Sequence, residues 1–379
     1  MRYDAIVLGL GGMGSAVAAH AAARGMRVLG LEQFGPAHAL GASHGRTRII
    51  RQAYFESPVY VPMLQRAYAL WDDLAARSGL ALRVQTGGLF IGARESPVVA
   101  GTIASAERFG LSYTLLDAVR LRARFPALRP RDDDVAVYEA VAGAVFPEAG
   151  VRAHLLAATA EGAELRFETK VTGWDADDAG VRVTLEGGTH VEAERLAICA
   201  GAWFGRIAAA IGLPLQVERN VQFWFAPLEA AAVTPERLPI WCLQRDARDT
   251  LVYGFPDFGD GAKIAHHGSG VTADPDRLDR TIGESEIARA HAALAAFVPP
   301  AAGRLLDAVA CTYTLTPDEH FVLGLAPANP RIAIAGGFSG HGYKFAPVIG
   351  EIVAALLAGD DPGYDLSPFA PERFAPAAS

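Results

Sequence analysis

The sequence predicts an α/β protein of two domains: a parallel-sheet domain assembled from discontinuous segments, and an α+β domain on a mixed or antiparallel sheet. Three observations predict this. The chain opens on a strand–glycine turn–helix–strand unit, apolar strand-like runs recur late at 196–200 and 331–335, and the region 216–275 carries short, aromatic-rich strands bounded by turn residues. With 379 residues, 51% of them hydrophobic, the chain is too long for one ordinary core.

Residues 3–8 read as a buried strand because Ile6, Val7 and Leu8 are continuously apolar. A small-residue helix follows from about 13 to 24, with Gly25 as its C-terminal stop. Residues 27–31 form a second strand ending at Glu32, with a right-handed crossover. The strands 87–92 and 251–255 are short and turn-bounded, and 181–185 alternates before Gly187-Gly188, which predicts a hairpin. The run 331–335 leads into a glycine-rich turn and a helix at 349–358; a Pro/Ala-rich tail closes the chain at 370–379.

Gly9-Leu10-Gly11-Gly12-Met13-Gly14 is G-x-G-x-x-G placed directly after a strand and opening a helix. The first glycine permits the tight turn, the second lets backbone approach a pyrophosphate, and the third lets helix and strand pack closely. The helix N-terminus offers free N–H groups and a positive dipole end to phosphates. Glu32, 21 residues after Gly11, is placed to accept from ribose hydroxyls and argues against a 2′-phosphate. The unit predicts a Rossmann-like dinucleotide-binding domain but does not by itself separate FAD from NAD.

Composition excludes other classes. Lys and Arg number 34 against 42 Asp and Glu, so a net charge of −8 leaves no general footprint for nucleic acid or an anionic membrane. Three cysteines, Cys199, Cys242 and Cys311, make no disulfide framework and no metal motif, and fit a reducing cytoplasm. The N-terminus imitates a secretory signal only superficially, since Asp4 and the glycines interrupt it, and no apolar run is long enough to span a bilayer. The pair His266-His267 lacks a third spaced ligand, so no metal is expected.

Three blocks go further. Ser43-His44-Gly45-Arg46-Thr47-Arg48-Ile49-Ile50-Arg51 follows the second strand, Cys311-Thr312-Tyr313-Thr314-Leu315-Thr316-Pro317-Asp318-Glu319-His320-Phe321 lies late, and Gly337-Phe338-Ser339-Gly340-His341-Gly342-Tyr343-Lys344-Phe345 follows it. Together they resemble the monomeric sarcosine oxidase and N-methyltryptophan oxidase family of FAD-dependent amine oxidases, over essentially the whole chain. The resemblance implies that Cys311 is bonded to the 8α-methyl group of FAD. Cys199 and Cys242 read as small buried hydrophobes.

The resemblance further implies that Arg51 and Lys344 hold a substrate carboxylate, the Arg fork giving bidentate geometry. It sets Arg48 and His44 against the flavin, and matches Tyr253 and His267 to the substrate pocket. Lys263 is implied beside flavin N5, where a fixed cation in a dry pocket assists electron transfer to oxygen. Ser43, Val171, Gly201, Trp203, Phe338, Gly340, His341, Gly342 and Lys344 are implied around the cofactor. Arg48 and Arg51, three apart, would share a face if they lay on one helical turn.

The chain departs from the family where Ser43-His44 and Arg46 replace what are often two histidines and an aspartate, and where the loop between Tyr253 and Lys263 is one residue shorter than in some relatives. Both departures touch the site lining and leave the substrate open: an N-methyl amino acid, a cyclic one such as pipecolate or proline, or something larger. The expected reaction oxidises a secondary amino acid to an imine and reduces O2 to H2O2, in a monomer; an NAD-dependent dehydrogenase is the rival reading. The expected division assigns 1–85, 142–215 and 310–379 to the FAD-binding domain, and 86–141 and 216–309 to the substrate domain.

Overall fold

The computed structural model describes residues 2–374; Met1 and residues 375–379, the end of the Pro/Ala-rich tail, lie outside the described residues. Among the described residues there are two eight-stranded sheets and one small three-stranded sheet. In the first, Tyr3–Leu8 lies between Val28–Leu31 and His190–Ile198, all parallel. Glu164–Arg166 and Asn329–Gly336 extend it in the same direction. The central strands Tyr3–Leu8 and Val28–Leu31 are largely buried on both faces, a burial that only neighbouring strands and covering helices provide.

The helices Gly12–Ala23, Pro147–Ala160 and Ala346–Ala358 pack over one face. Ala16, Ala18, Ala21 and Ala22 of the first are buried, and their small side chains let the neighbouring helices come close. The last helix begins at Ala346, three residues before the sequence reading, because Pro347 sits in its first turn, where a fixed φ is already helical. The expected hairpin forms between Gly180–Leu185 and His190–Ile198.

The second sheet runs Leu305–Leu315, Gln216–Phe225, Ala262–His266, Val252–Asp257, Ile240–Leu243, Gly88–Gly92, Val135–Glu139 and Thr114–Asp117. It is antiparallel except where Ile240–Leu243 runs parallel to Gly88–Gly92, so it is a mixed sheet as expected. The expected boundary at 310 cuts through Leu305–Leu315, so the division proposed from the sheets places it after Leu315.

One local reading is corrected. Arg48–Ile50 is a strand paired with Gly143–Val145, so Arg48 and Arg51 do not share a helical turn. The β-branched pair Ile49-Ile50 between them favours extended backbone.

Candidate active site

A cavity of about 430 Å³ follows the carboxyl ends of the parallel strands, where open α/β sheets bind their ligands. Gly9, Gly11, Gly12 and Met13 line it at the first turn, and Glu32 at the second strand. Gly9 holds φ at +82°, and a Cβ on Gly14 would stand 1.7 Å from the Gly9 carbonyl oxygen, so helix and strand touch there as only glycine allows. The helix start has no acidic residue in its first turn and no side-chain cap on Gly11, though Gly12 N–H donates to Ser43 Oγ at 3.0 Å. Glu32 accepts from the N–H groups of Leu10 (2.8 Å) and Phe34 (3.1 Å), which fixes a carboxylate that keeps lone pairs for further donors.

The rest of the wall comes from the expected residues Ser43, Arg48, Val171, Gly201 and Trp203, and, after the last parallel strand, from Phe338, Gly340 and Gly342. Gly14 packs behind the lining. Two buried polar atoms nearby, His44 Nε2 and Thr312 Oγ1, have no hydrogen-bond partner among the described residues. An elongated cavity with a glycine turn, an open helix start, a fixed carboxylate and orphaned polar atoms fits a dinucleotide such as FAD.

A second cavity of about 60 Å³ adjoins the first, sharing Arg48, Tyr313, Gly340 and Tyr343 with it. Arg51, Lys344, Tyr253 and His267 line it, as expected of a substrate pocket. His341, expected at the cofactor, lines this cavity instead; its ring takes the Tyr54 hydroxyl at 2.6 Å. Arg51 is 2% exposed, lies over the rings of Tyr54 and Phe55, and donates to Ala53 O (3.0 Å) and Glu56 Oε2 (2.5 Å). Lys344 Nζ donates to His341 O at 2.7 Å and to the Tyr54 hydroxyl at 3.3 Å.

The electrostatics favour an anion. Burial would push Glu56 up, but Arg51 beside it, with His341 and Lys344, outweighs burial and holds it down at about 2. Burial, then the Arg51 charge, pushes Lys344 down to about 7. A carboxylate arriving here draws Lys344 toward its charged form, and Arg51 and Lys344 against Glu56 then leave one positive charge to meet it. Burial lowers His341 to about 3, so its ring stays neutral.

Lys263 lines neither cavity. It is buried under the loop 45–47, with Nζ 2.7 Å from the carbonyl oxygens of Gly45 and Thr47. Burial, then Arg48, holds its pKa well below the usual lysine range. Burial, then Arg48, likewise pushes His44 down to about 4. Cys311 is also off the lining, though Thr312, Tyr313 and Thr314 are on it; its Sγ accepts from Gln222 Nε2 at 3.2 Å, and Gln222 Oε1 accepts from Arg48 at 3.1 Å. Cys199 and Cys242 are buried in apolar clusters as expected, Cys199 at the edge of the larger cavity and Cys242 at the edge of the smaller.

Sequence reasoning missed Glu56, Tyr313 and Gln222. Tyr313 lay inside the Cys311 block and carried a signal through it; Glu56 and Gln222 carry none that local pattern reveals.

Fold and cavities together define a dinucleotide-binding protein of the Rossmann type with a sheet domain over its ligand site. Residues 4–356 match the FAD dependent oxidoreductase family, and the chain belongs to that family, which sets the NAD reading aside. It is 45% identical over 380 residues to the monomeric sarcosine oxidase of Streptomyces avermitilis, covering 99% of this chain and 98% of that one. It is 35% identical over 377 residues to the N-methyl-L-tryptophan oxidase of Salmonella newport, covering 99% and 100%. Among solved structures, the open form of NikD, an unusual amino acid oxidase, superposes with a TM-score of 0.86 at 25% identity, covering 98% of this chain and 97% of that one.

Proposed function

We propose that the protein is a cytoplasmic, monomeric oxidase of a small secondary amino acid, sarcosine before N-methyltryptophan. The observation that carries this reading is the buried Arg51–Lys344 pair at a small cavity that adjoins the cofactor-sized one and shares Arg48, Tyr313, Gly340 and Tyr343 with it. About 60 Å³ is room for roughly four to six water-sized groups, which favours a substrate of about the size of sarcosine over one with an indole.

FAD bound there would supply the two-electron redox chemistry, oxidation of the substrate's C–N bond to an imine with the electrons delivered to O2 as H2O2. The chain binds and orients. Arg51 and Lys344 hold the carboxylate, while Tyr253, His267 and Tyr313 line the cavity around the rest of the molecule and orient the reacting carbon. Burial raises the phenols of Tyr253 and Tyr313 and lowers His267, so these three side chains stay uncharged and leave the charge of the cavity to Arg48, Arg51, Lys344 and Glu56. Arg48, held by Gln222, supplies positive charge where the two cavities meet. The glycine turn, Glu32 and the late Phe338–Gly342 turn would hold FAD in the larger cavity, with Cys311 as its thioether partner; support for the bond is the family resemblance and the position of Cys311 next to the lining residue Thr312.

A panel of sarcosine, N-methyl-L-tryptophan, L-proline and L-pipecolate, assayed for peroxide, tests the reading. Sarcosine is expected to give the highest kcat/KM; a preference for N-methyltryptophan would overturn the size argument. A cyclic substrate is the second reading, favoured by the apolar wall of Ile49, Phe55 and Leu251.

A further inference from the structure

Glu139 ends the strand Val135–Glu139 of the second sheet and is 1% exposed, yet it lines neither cavity. One carboxylate oxygen accepts from Gln52 N–H at 2.7 Å and the other from Ala53 N–H at 3.3 Å. Ala53 in turn offers its carbonyl to Arg51 Nη1 at 3.0 Å. The guanidinium is therefore held from two sides: by Glu56 directly, and by Glu139 through the backbone of Ala53. A buried carboxylate is expensive to keep, and this one spends both oxygens on the loop that carries Arg51.

We propose that Glu139 is a positioning residue for the substrate carboxylate: it pins the loop 51–53 from the other sheet, and the aim of Arg51 into the smaller cavity depends on it. The proposal rests on the carboxylate-binding reading of Arg51.

The charged and titratable groups that face Glu139 are Arg51 from the loop and Tyr68 from the helix Val61–Ser78, with Arg83 over the far side of the Tyr68 ring. Burial pushes Glu139 up to about 7, against the two N–H donors and the Arg51 charge. A protonated carboxyl has one good acceptor oxygen where the ionised form has two, so one loop contact weakens as pH falls through neutrality. Lys344, at about 7, acts in the opposite sense and loses its charge as pH rises. His341, at about 3, and His44, at about 4, do not titrate in that window.

The test is calorimetric titration of the holoenzyme with propionate, an unreactive carboxylate, from about pH 6 to 8. Wild-type affinity is expected to peak near neutrality and fall on both sides. Glu139→Gln is expected to bind about tenfold more weakly at neutral pH and to lose the acid-side fall. A wild-type profile with no acid-side fall, which needs no variant to fold, overturns the proposal, as does a Glu139→Gln profile identical to wild type. Arg51→Met is titrated in parallel: if it binds propionate as wild type does, the reading of Arg51 fails, whereas its weakening beside an unchanged Glu139→Gln overturns the Glu139 proposal alone.

Discussion

Lys263 Nζ stands 2.7 Å from the carbonyl oxygen of Thr47, and the same nitrogen meets Gly45 O at equal distance. A buried amine fixed by two carbonyls cannot swing away, and it lies near Arg48, the cation at the junction of the cavities. If oxygen is reduced beside it, the developing anion meets a donor that is already in place and costs no reorganisation. Lys263→Met is therefore expected to slow reoxidation of the reduced enzyme by about 100-fold or more while changing reduction by the amino acid only a few-fold. Anaerobic and aerobic stopped-flow traces separate the two steps; equal slowing of both would remove the assigned role.

Cys311 is held by Gln222 on a strand whose next three residues line the larger cavity. Acid precipitation of the wild-type protein is expected to leave yellow colour in the pellet. Cys311→Ser is expected to release that colour to the supernatant without abolishing FAD binding, because the glycine turn and Glu32 remain. Colour that stays in the Cys311→Ser pellet would place the bond elsewhere.

Glu56 and Arg51 form a largely buried pair, and removing one partner leaves the other charge uncompensated. Glu56→Gln is expected to cost about 3 kcal/mol at neutral pH. Because the folded-state pKa of Glu56 is depressed to about 2, its contribution is fully present above the unfolded value, about 4.5, and is lost as pH falls through about 2. The difference in thermal midpoint between wild type and variant should therefore shrink toward pH 2; a gap that widens in acid would contradict the pairing.

The glycine turn, Glu32 and the strands around them were legible because their requirements are local. The approach of helix to strand forces glycine at position 14, and a left-handed φ of +82° favours it at position 9. Arg48 and Arg51 were misread for the opposite reason: a spacing of three matches a helix turn, but sheet pairing with Gly143–Val145 decides the backbone. The contacts of Glu139 with Gln52 and of Gln222 with Cys311 span 87 and 89 residues, and only the folded sheets bring those partners together. Cys242 is the buried apolar side chain the sequence suggests, but nothing near it in the chain shows that its strand edges the Arg51 cavity.

Anaerobic titration with sarcosine, followed by the yellow flavin absorbance, tests the central claim most directly. Wild type is expected to bleach; Arg51→Met, still yellow, is expected to need about 100-fold more sarcosine for the same bleaching, as loss of a buried charged contact requires. Wild-type flavin that stays oxidised with sarcosine and with every other secondary amino acid, or Arg51→Met that bleaches at the wild-type concentration, would contradict it.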